Sequence, residues 1–201
     1  MAWDTEGTKR KILDAAACEF ARSGPDGTTI ERIAKFAGVN KERVYNYFGG
    51  KPELFSHVLR DQLATAAIEV PAGATEDDIA EYAGRLYDYH RQHPGLARLL
   101  QWEALTFDAE VPEEQSRREF YERNTSALAH GHFGGAHAST LAPDLLHFLL
   151  LSIAGYWAVL PQVARMITDA TTDDASEDAR RRACVVEAAR RLVPAQAQKA
   201  P

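Results

Sequence analysis

A single glycine, Gly38, joins two short segments of opposite character, and this junction constrains the fold more than any other feature of the chain. The segment before it is amphipathic. Ile30, Ile33, Ala34 and Ala37 recur at i, i+3, i+4 and i+7, which gives a helix one apolar face. Thr28 and Glu31 read as a Thr-x-x-Glu capping box that starts this helix. Gly38 suits the left-handed residue that closes it. Asn40 is a good N-cap for a second helix, and Val39 and Val44 occupy the positions of a hydrophobic staple. Ala34 and Gly38 are small where two helices must approach closely. The second helix, from about Lys41 to Tyr47, carries Lys, Arg, Asn and Tyr and is too polar for a core element. A plain helical hairpin would bury such a helix; a helix-turn-helix sends it into the DNA major groove.

The charge balance at first opposes a nucleic-acid partner, since the chain holds 23 Lys+Arg against 29 Asp+Glu, a net charge of −6. The surplus is uneven. Residues 1–60 hold ten basic and eight acidic residues, a net of +2, and the remainder carries −8. Phosphate contacts must therefore come from a few placed residues, which suits site-selective binding better than nonspecific coating of DNA. Cys18 and Cys184 lie too far apart in the chain for a metal spacing or a disulfide framework, which fits a reducing cytoplasm. No basic segment followed by an apolar one opens the chain, so no secretory signal is expected.

Thr8 to Ser23 reads as the first helix, with Ile12, Leu13, Ala16, Ala17 and Phe20 as its stripe and Ser23-Gly24-Pro25-Asp26-Gly27 as its break. After Gly49-Gly50, Lys51-Pro52 opens a fourth helix with a Leu54, Phe55, Val58, Leu59 and Leu63 face. Val70 to Ala74 divides the chain. Further helices are expected over Thr75–His93, Pro94–Phe107, Pro112–Ala129, Asp144–Thr168 and Glu177–Val193, with a Gly- and His-rich loop from His130 to Pro143. Leu145 to Leu160 is apolar nearly all round but short of the ~20 residues a bilayer needs. It contains His147 and Ser152 and reads as a buried helix that Pro161 kinks or ends. No segment alternates like a strand. The expectation is an all-α protein of about nine helices.

Thr-Thr-Ile-x-x-Ile-Ala-x-x-Ala-Gly-Val-Asn-x-x-x-Val-Tyr-x-Tyr-Phe-x-x-Lys-x-x-Leu-Phe, from Thr28 to Phe55, resembles the DNA-binding domain of the tetracycline-repressor (TetR) family of transcriptional regulators. The resemblance covers residues 8–60, with the motif at 29–48. Beyond residue 60 it rests on helix count, length and the apolar penultimate helix. It implies a three-helix DNA-binding domain joined through a fourth helix to a larger domain, 70–195, for ligand binding and dimerisation. Three departures stand out. Asn40 replaces a common Ser or Thr. Gly49-Gly50 replaces a polar residue and Ser, so Gly50 caps the fourth helix without a side-chain oxygen. Glu42-Arg43 replaces a frequent small pair and changes what the helix reads.

Lys41, Glu42 and Arg43 form the first turn of the recognition helix, which faces base edges. Arg43 is matched to a guanine, and Lys41 to a guanine or a phosphate. Glu42 either accepts from cytosine or, as favoured, orients Arg43. By resemblance Tyr45 and Tyr47 contact phosphates or thymine methyls, and Asn46 faces the groove or solvent. Lys51 at a helix start and Thr29 are phosphate candidates. Val44 and Phe48 belong to the core.

Ligand candidates rest on an aromatic accumulation that in most proteins builds core: Tyr87, Trp102, Phe107, Tyr121 and Tyr156, with Arg98, Glu103 and His147. Glu103 shares the apolar face of Leu96, Leu99 and Phe107, so its carboxylate needs a partner. Arg98, His147 or a cationic ligand would serve. His130, His132 and His137 lie in the expected loop, and neither they nor His90 and His93 have convincing metal spacing; no metal or cofactor is expected. An all-round apolar helix must be covered on both sides, so helices 144–168 and 177–193 are expected to form a homodimer interface. These features together favour a dimeric repressor that binds a double-stranded DNA operator and responds to a small molecule. The alternatives are a regulator gated by a protein partner, and a DNA-processing enzyme that uses the motif for targeting. No catalytic constellation stands out for the latter.

Overall fold

The computed structural model describes residues 4–71, 76–107, 111–132, 141–169 and 174–192, side chains excepted at 76–78 and 130–132. Among these residues every regular element is helical: α1 (Thr5–Ser23), α2 (Ile30–Ala37), α3 (Lys41–Phe48), α4 (Lys51–Glu69), α5 (Glu76–Gln92), α6 (Pro94–Thr106), α7 (Glu114–His132), α8 (Pro143–Val159), α9 (Pro161–Thr168) and α10 (Ala175–Leu192). They number ten rather than about nine. The expected helix 144–168 is two helices, α8 and α9, bent by 87°. Proline has no N–H for the ladder, and its ring clashes with the carbonyl four residues back. The chain therefore leaves helical geometry at Leu160, φ −127° and ψ 60°. Two other boundaries move. Asp4 caps α1, its Oδ1 accepting from Gly7 N at 2.8 Å, so that helix starts before Thr8. The expected loop at His130 is still helix, because α7 continues to His132. His137 and Thr75 lie outside the described residues.

The chain forms two compact units, Met1–Thr65 with His93–Arg118, and Ala66–Gln92 with Glu119–Pro201. The first unit is centred on Phe20 and Phe55, whose rings meet edge-on at 5.2 Å, with Phe107 5.8 Å from Phe55. Ile12, Ile33, Val44, Leu54 and Leu59 are fully buried around them. Arg10 grips both oxygens of Asp61, at 2.8 and 2.9 Å, and so pins α1 to α4. α6 lies along α1. Its Arg98 donates to the carbonyls of Ala21 at 2.6 Å and Arg22 at 3.3 Å, which satisfies acceptors left open at the end of α1. Next to them Gly24 has φ 70° and ψ 172°, and the Trp102 ring lies 2.6 Å from where a Cβ would stand. Only glycine fits both demands.

In the second unit α5 is the hub, packed against α10 and α8. Gly84 allows the close approach: a Cβ there would meet Val186 at 2.8 Å. Ion pairs flank the seam, with Arg182 on Asp88 at 2.8 Å and on Glu81 at 3.1 Å, and Arg91 on Asp178 at 2.6 Å. No single helix among the described residues is long and apolar enough to cross a membrane.

Candidate nucleic-acid interface

The turn between α2 and α3 is closed by backbone geometry. Gly38 adopts φ 68° and ψ 32°, its N–H bonds Lys35 O at 3.2 Å, and Val39 N–H bonds Ala34 O at 3.0 Å. These bonds take up carbonyls that the end of α2 leaves open. Asn40 then caps α3, Oδ1 accepting from Arg43 N at 3.2 Å. The start of α2 differs from the expected capping box by one residue. Thr29 is the N-cap and accepts from Arg32 N at 3.2 Å. Thr28 is buried instead and donates to Glu19 Oε2 at 3.1 Å. Glu19, on the buried face of α1, also holds Arg22 at 2.7 Å and Arg32 at 2.7 Å. A sequence pattern that scores apolar residues passes over this carboxylate; its signal was a glutamate in register with Ile12, Ala16 and Phe20.

Val44 and Phe48 anchor α3 in the core, and the opposite face is polar. Lys41, Glu42, Tyr45 and Asn46 are exposed, with Arg43 and Tyr47 half-buried beside them. Lys41 Nζ lies 3.4 Å from Glu31 Oε1. Glu31 is held below its usual pKa, first by a backbone hydrogen bond and then by Lys41. Tyr47 is backed by Lys9, whose Nζ is 5.9 Å from the ring centre, so Lys9 adds a cation next to α3 that the motif did not flag. Lys51 Nζ reaches Thr28 O at 3.4 Å and Asp26 at 3.7 Å, which puts its charge beside the start of α2 and Thr29. The arrangement is a short polar helix held rigidly from behind, with cations at its flanks.

The eight ligand candidates are divided between the two units. Arg98, Trp102, Glu103 and Phe107 belong to the first unit, whereas Tyr87, Tyr121, His147 and Tyr156 belong to the second. Glu103 has its partner inside the protein, as expected, but the partner is Arg117 on α7, through both guanidinium nitrogens. Arg98 is committed to the end of α1, and His147 lies in the other unit. Tyr87 donates to Asp178 Oδ1 at 2.8 Å and meets the Trp157 ring at 6.4 Å. Tyr156 is exposed on an apolar groove of about 380 Å³ lined by α8, α9 and α10, Trp157, Leu160, Ile167 and Val185 among its walls. Leu145 and Phe148 on α8 and Met166 on α9 are further exposed apolar side chains. Among the described residues no cluster of His, Cys, Asp or Glu is placed to hold a metal ion.

Comparison with known proteins places this architecture. Residues 12–58 match the model for bacterial regulatory proteins of the tetR family, and residues 78–191 match the tetracyclin repressor-like C-terminal domain. The chain belongs to the tetR family. It is 43% identical over 197 residues to the HTH-type transcriptional repressor SCO4008 of Streptomyces coelicolor, covering 96% of this chain and 98% of that protein. Among solved structures, the transcriptional regulator SCO4942 of Streptomyces coelicolor superposes with a TM-score of 0.74 at 30% identity, over 93% of this chain and 98% of that one. FadR of Bacillus subtilis, solved with stearoyl-CoA, shares the fold with a TM-score of 0.67 at 17% identity, over 92% of this chain and all of the other. This tetR-family member is thus a helix-turn-helix transcriptional regulator.

Proposed function

We propose that the chain is a cytoplasmic, dimeric repressor that leaves a palindromic operator when a small molecule binds its second unit. The observation that carries the reading is α3, a short polar helix fixed by Gly38, Asn40, Val44 and Phe48 and flanked by cations. Lys41, Glu42, Arg43, Tyr45, Asn46 and Tyr47 address the major groove, and Thr29 and Lys51 take phosphates. These contacts fall within residues 8–60; the stretch 70–195 provides effector and dimer functions, apart from the segment that braces the head. The bare apolar face of α8 and α9, beside α10, supports a symmetric pairing of two copies. Pairing sets two recognition helices about 34–36 Å apart, one helical turn of DNA. The repressor SCO4008 and the acyl-CoA-bound FadR support a repressor gated by a ligand. The ligand acts by binding better to a conformation that no longer fits the half-site spacing.

The test is a binding titration on DNA flanking the protein's own gene, repeated across salt. A specific complex whose affinity falls linearly on a log–log salt scale is expected. Absence of binding to every flanking fragment at low salt would count against local repression.

A further inference from the structure

In the first unit, the segment just before α7 reaches the end of α3 through three side chains. Glu113 stands at φ 58°, a left-handed conformation that residues with a Cβ rarely adopt and that persists where the surroundings over-determine it. Ser116 Oγ donates to its carbonyl at 3.0 Å, and Arg60 on α4 donates to its Oε2 at 2.6 Å. The other terminal nitrogen of the same guanidinium lies 2.6 Å from His57 Nδ1. Arginine has only donors and keeps its charge, so the imidazole must accept at Nδ1. The proton of the neutral ring then sits on Nε2, which faces Glu113 Oε1 at 3.5 Å. The ring also meets Phe48 edge-on, with centres 5.3 Å apart. Phe48 is the last residue of α3 and one of the two side chains that bury that helix in the core. The charged groups that bear on the ring are Glu113, Arg60 and Glu53. Burial is the largest influence and disfavours a second proton; Glu113 favours it, Arg60 opposes it and Glu53 favours it, and the ring stays below the usual histidine pKa. It is therefore neutral near pH 7. A second proton would enter at Nδ1. The short contact to Arg60 would then set donor against donor, and one of the two side chains must leave.

We propose that His57 is a positioning residue for the end of α3: neutral and clasped by Arg60 and Glu113, it holds Phe48 in the DNA-reading pose, and a proton on Nδ1 opens the clasp and lowers DNA affinity. The inference rests on α3 being the helix that reads DNA, as proposed above. Its sign runs against plain electrostatics, because an added positive charge on a DNA-binding protein otherwise tightens the hold on phosphates.

Long-range proton–nitrogen spectra of histidine-labelled protein, with H57Q assigning the signal, read the ring directly. At pH 7.5 a proton on Nε2 alone is expected; a proton on Nδ1 overturns the clasp. Fluorescence anisotropy then follows DNA binding at fixed salt from pH 7.5 to about pH 5, through the histidine range. The probes are a duplex flanking the protein's own gene and, at low salt, a scrambled duplex. H57L keeps bulk against Phe48 but loses both polar contacts, and weaker binding than wild type is expected already at pH 7.5. Glutamine offers an oxygen to Arg60 and an amide to Glu113 and does not titrate, so H57Q recovers most of that loss. Near pH 5 wild type is expected to have lost at least roughly threefold in affinity relative to H57Q, because the competent fraction falls as the proton is taken up. Parallel pH profiles for wild type and H57Q, or wild type gaining on H57Q in acid, overturn the inference. So does a wild-type loss that coincides with unfolding by circular dichroism at the same pH. If H57L is unfolded, H57Q and the spectra decide. Failure to bind the flanking duplex at any pH counts against local repression alone; the scrambled duplex still compares wild type with H57Q, and a threefold acid loss there keeps the inference. Binding to neither duplex overturns it.

Discussion

Arg43 and Glu103 are both charged residues on helices, yet their surroundings assign them opposite work. Arg43 stands in the first turn of α3, on the helix proposed to enter the major groove. Arg43→Ala is expected to weaken specific binding by about 1–3 kcal/mol, the worth of one bidentate base contact, while nonspecific binding changes less. Fluorescence anisotropy on specific and scrambled duplexes checks it; equal loss on both would make Arg43 a phosphate contact. Glu103 is paired to Arg117 with both side chains largely buried. Glu103→Ala strands the guanidinium, and a loss of about 3–5 kcal/mol in unfolding free energy is expected from urea denaturation. A loss below about 1 kcal/mol would mean that water reaches the pair freely. The sequence showed that Glu103 needed a partner, because one helical face is a local pattern. It did not show which partner, because Arg117 comes from another helix whose placement no local pattern encodes. Glu19 was hidden for the same reason: its ligands Thr28 and Arg32 arrive only when α2 packs on α1.

At the level of helices, the α2–α3 turn was legible nearly to the residue. Periodicity, a left-handed glycine and an Asn cap all act within a few positions of one another. The α8–α9 corner was half legible, since a proline marks an interruption without fixing the angle at which the next helix leaves. The clasp of α6 on α1 was not legible, because it depends on a ring meeting a glycine across the fold. Two glycine substitutions separate these cases. Gly38→Ala meets nothing within 4 Å, so only its left-handed backbone penalises it, by about 1 kcal/mol. Gly24→Ala combines an unfavourable φ and ψ with a direct clash on Trp102, and about 2–4 kcal/mol is expected. Thermal melts of the two variants rank them, and the reverse order would mean that Trp102 swings aside at little cost.

For the whole molecule, pairing and pH matter most. If two copies join through α8 and α9, Phe148→Glu places a charge on the bare face and yields monomers in sedimentation runs at micromolar concentration. Operator affinity then drops at least roughly tenfold as the linked second head is lost. A stable dimer of this variant would move the interface elsewhere. On the acid side, His147 is held below its usual pKa by burial, and His57 by burial against the opposing pull of Glu113. As pH falls below about 6.5 the unfolded chain takes protons on both rings that the folded protein resists, so stability declines toward the depressed folded values. Urea midpoints at pH 7.5 and 5.5 measure the decline, and the contribution of His147 disappears in H147F. The discontinuity of the first unit bears on how such proteins can be recombined. Residues 93–118 interrupt the second unit's sequence to clasp α1, so the head is not a cassette that can be cut at residue 60. A chimera that grafts a foreign DNA-reading segment onto this chain inherits a mismatched Trp102–Gly24 joint unless residues 93–118 travel with the graft.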